Sequence, residues 1–102
     1  MDLRVISPSP LRLAVRLDPG DPCFNGHFPD NPVAPGTLIL GMCLEAARTL
    51  PGRGGALSVR RFSFSRFAGP GEYEIALDER GGDIDCTMSR GGTVYARGRI
   101  GS

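Results

Sequence analysis

The run TLILGMCLEAARTL, residues 37–50, places Leu38, Met42, Glu45 and Ala46 at helical spacings and stops at Pro51-Gly52, which cannot continue a helix. Pro35 stands just before or within the first turn, where a missing N–H costs little, and Thr37 suits an early-turn position. Apolar residues cover nearly the whole circumference, so the helix is expected to be buried on most sides. One helix cannot bury itself, and the rest of the chain reads as strand. The sheet therefore has to wrap the helix.

Working outward, LRLAVRL (11–17) alternates Leu11, Leu13, Val15 and Leu17 with Arg12, Ala14 and Arg16, the period of two of a strand with one buried face. DPGDP ends it. Beyond Ala56 the same period returns in LSVRRFSFSRF, in EYEIALDE after the Gly69-Pro70-Gly71 turn, in DIDCTMS, and in TVYARGRI after the Gly91-Gly92 turn. Four consecutive strands joined by glycine-rich turns predict an antiparallel meander. The expected architecture is α+β, in the order strand, long loop, buried helix and four strands, as a single domain over residues 1–102. The edges of so small a sheet need cover, and pairing with a second copy would provide it.

A chain of 102 residues buries roughly two-thirds of its unfolded surface. Its 40% hydrophobic and 23% charged residues are those of an ordinary soluble globule. No apolar run approaches the ~20 residues of a membrane span, and MDLRVISPSP lacks the apolar core of a signal peptide; the cytoplasm is the expected compartment. Cys23, Cys43 and Cys86 are odd in number and without a C-x-x-C pair, so free thiols are expected rather than disulfides or a zinc site. All twelve basic residues are arginines, which excludes lysine Schiff-base chemistry and a P-loop lysine. A net charge of +1 gives no support to nucleic-acid binding. Arg48, Arg53, Arg60, Arg61 and Arg66 nevertheless cluster, either as a solvated face or as a dock for an acidic partner or phosphate.

Ahead of the helix lies FNGHFPDNPVAPG (24–36), with the only histidine of the chain, His27. Imidazole is the side chain that exchanges a proton near neutrality. Pro29, Pro32 and Pro35 restrict their own φ and the residue before each, so the loop is stiff enough to hold His27 in place. Gly36 opens the helix, where backbone N–H groups lack partners and the dipole favours negative charge. A histidine near such a helix start suits proton abstraction beside a carbonyl whose oxygen the amide stabilises.

The segment GHFPDNPVAPGTLIL resembles the active-site segment of the β-hydroxyacyl-ACP dehydratases of the hot-dog fold, matching at Gly26, His27, Phe28, Pro29, Pro32, Pro35 and Gly36. VRRFSFSRFAGPGEYEIAL resembles the family's strand, Pro-Gly turn and strand, and GGTVYARGRI its closing strand. The resemblance implies an antiparallel sheet wrapped around one central helix, two chains joining into a continuous double hot dog. It also implies dehydration of a 3-hydroxyacyl thioester to the trans-2-enoyl thioester on an acyl carrier protein, without metal or redox cofactor, in fatty acid, polyene or polyketide biosynthesis. By carry-over, His27 takes the C2 proton and the Gly36 amide holds the thioester carbonyl, with Phe28, Pro35 and Gly41 beside the substrate. Arg60, Arg61 and Arg66 would receive the acidic carrier.

In that family a Glu or Asp stands on the helix fourteen residues after the histidine and reaches the site from the neighbouring subunit. Here that position is Gly41. Glu45, one turn on, is the nearest acid, displaced by about 5 to 6 Å along the axis; Asp30 in the loop is a second candidate, or an ordinary turn aspartate. The resemblance also implies a trimmed variant without the N-terminal helix and strand of longer members. Three readings follow: a dehydratase with an altered acid, a non-catalytic or acid-deficient subunit paired with a second hot-dog dehydratase in place of a homodimer, and a hot-dog thioesterase using Glu45.

Overall fold

The computed structural model describes residues 2–8, 10–20, 34, 36–50 and 55–101. The elements are β1 (Asp2–Pro8), β2 (Leu11–Leu17), α1 (Gly36–Arg48), β3 (Ser58–Phe64), β4 (Gly71–Arg80), β5 (Asp83–Arg90) and β6 (Thr93–Gly101). They form a six-stranded sheet in the order β1-β2-β4-β5-β6-β3, antiparallel at every pairing. With α1 packed on one face, this is the hot-dog fold.

The period-two segments explain the layering. Leu11, Leu13, Val15 and Leu17 of β2 are buried beside Tyr73, Ile75 and Leu77 of β4, Ile84, Cys86 and Met88 of β5, and Ala96 and Ile100 of β6. From α1, Ile39, Met42, Cys43, Ala46 and Ala47 close the core, at the i, i+3, i+4, i+7, i+8 spacing of a single helical stripe. Gly91 and Gly92, at φ 56° and 81°, form the β5–β6 hairpin; positive φ at both central residues matches the right-handed twist of the strands.

The structure corrects the sequence reading in three places. The meander holds only for β4, β5 and β6, because β3 pairs with β6 and β4 with β2. Strands with a fully apolar inner row occupy the centre, whereas β3 is exposed along nearly all its length, with only Phe62 half-buried, and therefore takes an edge. A strand at residues 2–8, β1, is absent from the sequence reading; its bulge between Val5 and Ser7 interrupts the alternation that would have marked it. Finally, α1 is covered on one side only: Thr37, Glu45 and Arg48 are exposed and Leu38, Leu40, Gly41 and Leu44 half-buried. The sheet of one chain reaches only one face of the helix.

Cys43 and Cys86 are free and buried, as expected, while Cys23 lies outside the described residues. A hydrogen bond with Cys43, and then burial, push the Cys86 thiol far above its ordinary range, which leaves it unreactive. Among the described residues no helix is long and apolar enough to cross a membrane.

Candidate active site

The helix start is built from two contacts. The backbone N–H of Ala34 donates to the carbonyl of Ala68 at 2.6 Å, fixing the approach to α1 against the segment after β3. The ring of Phe64, at the end of β3, covers Gly36 so closely that a Cβ on residue 36 would lie 3.0 Å from its Cζ. No acidic residue stands in the first turn of α1, where a carboxylate would offset the positive end of the helix dipole.

Ala68 is held in turn by Tyr73. The phenol donates to the carbonyl of Gly69 at 2.7 Å, its ring meets Tyr95 edge-on at 5.1 Å, and the Arg90 guanidinium stacks over it at 5.2 Å. Burial, partly offset by Arg90, raises the pKa of the phenol, which keeps it a neutral donor. Gly71, at φ 148°, makes room: a Cβ there would lie 2.5 Å from Arg90 Nη1. Tyr73→Phe is expected to destabilise the chain by about 1 kcal/mol, lowering the melting temperature by about 4–8 °C. An unchanged melting curve would show that the Gly69 bond does not tie down this segment.

Of the residues proposed from sequence, His27, Phe28, Asp30 and Pro35 lie outside the described residues. Gly36 begins α1, as expected. Gly41 lies on the half-buried side of the helix, and a Cβ there would meet nothing within 4 Å. Glu45 is exposed, without an ion pair among the described residues. Nine residues separate it from Gly36, about 13 Å along the axis; within one chain the two do not meet. Arg60, Arg61 and Arg66 are exposed on β3 and just beyond it, Arg60 at 3.9 Å from Asp83. Phe64, Ala68 and Tyr73 were not foreseen: a hydrogen bond to a carbonyl inside a Gly-Pro-Gly turn leaves no periodic trace in sequence.

Phe64 at the end of β3 is 48% exposed and Phe67 just beyond it 80%, with Val59 41% exposed further along β3. A family model described as ApeI dehydratase matches residues 5–99, nearly the whole chain. The chain belongs to the ApeI-like dehydratase family. In fold, this ApeI-like chain is similar to a chain of the dehydratase heterocomplex ApeI:P from Xenorhabdus doucetiae, with a TM-score of 0.78, 24% identity, and coverage of 99% of this chain and 97% of that one. It is 40% identical over 52 residues to the 3-hydroxyacyl-[acyl-carrier-protein] dehydratase FabZ of Haemophilus influenzae (strain PittEE), covering 46% of this chain and 35% of that one. With the FabZ of Chlamydia pneumoniae it shares 30% identity over 92 residues, 80% of this chain and 58% of that one. The ApeI-like chain thus spans about a third to three-fifths of the length of these curated relatives.

Proposed function

We propose that this chain takes part in the dehydration of 3-hydroxyacyl thioesters carried on an acyl carrier protein, as one subunit of a hot-dog dimer whose partner supplies the acid. The observation that carries the reading is the matched GHFPDNPVAPG segment delivering Gly36 to the first residue of a helix with no acid in its opening turn. In the proposed reaction the neutral imidazole of His27 takes the C2 proton, and the Gly36 amide donates to the thioester oxygen as enolate charge develops. The C3–O bond then breaks, and the departing hydroxyl leaves as water after receiving a proton. Nothing at position 41 donates that proton. Similarity to a chain of a two-component dehydratase, together with the apolar surface of Val59, Phe64 and Phe67 on and just after edge strand β3, supports pairing with a second hot-dog chain. The thioesterase reading makes Glu45 direct water at the carbonyl instead.

The test compares the purified chain alone with the chain co-expressed with a second hot-dog dehydratase, on a 3-hydroxyacyl pantetheine thioester. Formation of the conjugated enoyl thioester is followed by absorbance. Activity is expected mainly in the co-expressed pair; full activity of the chain alone would overturn the acid-deficient reading. Release of free thiol, lost in Glu45→Gln, would favour the thioesterase. A second substitution addresses the acid directly. Because the space beside Gly41 is open, Gly41→Glu is expected to raise dehydration by the chain alone about 100-fold, at the lower end of what general acids contribute. No gain would mean that the missing carboxylate does not limit the reaction.

A further inference from the structure

Gly36 does not take the positive φ that would call for glycine, and in helix propensity glycine gains nothing over alanine. Space is the remaining reason. The three nearest neighbours of a Cβ at residue 36 would all be at the far end of one ring: Phe64 Cζ at 3.0 Å, Cε2 at 3.1 Å and Cε1 at 3.4 Å. The missing side chain therefore points at Phe64. That ring is itself held. Its centroid lies 5.3 Å from that of Phe62, with the planes tilted by 43°, and Phe62 fills the space that a side chain on Gly98 would need. Two glycines thus make room for one aromatic pair on β3: Gly98 of β6 for Phe62, and Gly36 of α1 for Phe64. The start of the helix is seated on the pair.

We infer that Phe64 is a positioning residue for the proposed dehydration: its ring sets where the Gly36 amide stands relative to the thioester oxygen. This role rests on the reading that the Gly36 amide holds that oxygen, and it makes glycine at position 36 a requirement of Phe64 rather than of the substrate. An amide stabilises a developing oxyanion from about 2.7–3.1 Å, and a misplacement of about 1 Å costs about 10²-fold in rate. Gly36→Ala would force the ring and the helix start apart by a few tenths of an ångström. The fold tolerates such a shift, because the ring is half exposed, whereas the bond to the substrate oxygen lengthens. All three contacting atoms belong to the tip of the ring. Phe64→Leu removes them and still leaves an apolar side chain on the edge strand.

The experiment is a double-mutant cycle of Gly36→Ala and Phe64→Leu in the co-expressed pair, with kcat and KM measured on a 3-hydroxyacyl pantetheine thioester. Gly36→Ala is expected to lower kcat about tenfold with KM nearly unchanged. In the Phe64→Leu background the same substitution is expected to cost less than about twofold, a coupling of the size found between residues in contact. Each comparison is made within one background, so any change in pairing caused by Phe64→Leu cancels. The infrared carbonyl stretch of a bound trans-2-enoyl pantetheine thioester reads the amide bond directly. It should rise in Gly36→Ala, as that bond lengthens, and not rise further when Gly36→Ala is added to Phe64→Leu; a packing role alone would move the melting temperature and leave the stretch in place. Equal losses of kcat from Gly36→Ala in both backgrounds would overturn the role of Phe64 while the dehydratase reading stood, because glycine would then serve the substrate. A pair with no dehydration in the parent form would remove that reading and this role with it, even if Phe64→Leu relieved a melting temperature lowered by Gly36→Ala.

Discussion

His27→Ala is expected to reduce dehydration of a 3-hydroxyacyl pantetheine thioester by about 10²- to 10⁴-fold, the usual contribution of a positioned base, with the melting curve unchanged. The expectation rests on the lack of a substitute. The chain has no lysine and no second histidine, and Cys43 and Cys86 are buried, the Cys86 thiol pushed far up by its bond to Cys43 and by burial. Removing the imidazole therefore removes the side chain best matched to proton abstraction near neutrality, while the Gly36 amide remains. Since the base must be unprotonated, the rate should fall as the solution is acidified. That acid limb should disappear in the alanine variant. Turnover unaffected by the substitution would remove the dehydratase reading, whereas loss of activity only in the co-expressed pair would place the working histidine in this chain and the acid in the other.

The fold was legible where one face of an element meets the core. In β2 and through the middle of β4 and β5 every second residue is apolar and buried, so period two and burial coincide. The helix was legible for the same reason, although its buried stripe runs through Ile39, Met42, Cys43, Ala46 and Ala47 rather than through Leu38. Alternation says which way a side chain points and nothing about which strand lies alongside. For that reason β3 read as the neighbour of β4, when its exposed pattern puts it at the edge beside β6, where Gly98 leaves room for Phe62. The site was legible where it depends on local backbone chemistry, as with Gly36 at the helix start. It was illegible where it depends on contacts between distant segments. Ala34 on Ala68, and Tyr73 on Gly69 beneath Arg90, join residues whose sequence spacing carries no signal.

That glycine in β6 supplies the second large effect: Gly98→Ala is expected to destabilise the chain by about 1–3 kcal/mol, the usual cost of overpacking. Gly98 faces Phe62 across the β3–β6 ladder, and the Phe62 ring occupies the space a side chain would need. The ring could rotate away, but a Cβ at residue 98 would also lie 2.7 Å from the backbone carbonyl of Arg61, and that oxygen moves only if β3 moves. Displacing β3 also shifts Phe64, whose ring covers Gly36, so the damage reaches the helix start and, in the proposed dimer, the paired edge. A melting temperature lower by at least about 4 °C is expected, with loss of any dimer measured by light scattering. The matching substitution Gly41→Ala has the opposite sign. It adds a methyl group where nothing lies within 4 Å and removes a helix-interior glycine that costs about 1 kcal/mol relative to alanine, so it should raise the melting temperature. If both variants were to melt with the parent chain, the close contact of β3 with β6 would not depend on the absence of a side chain at residue 98.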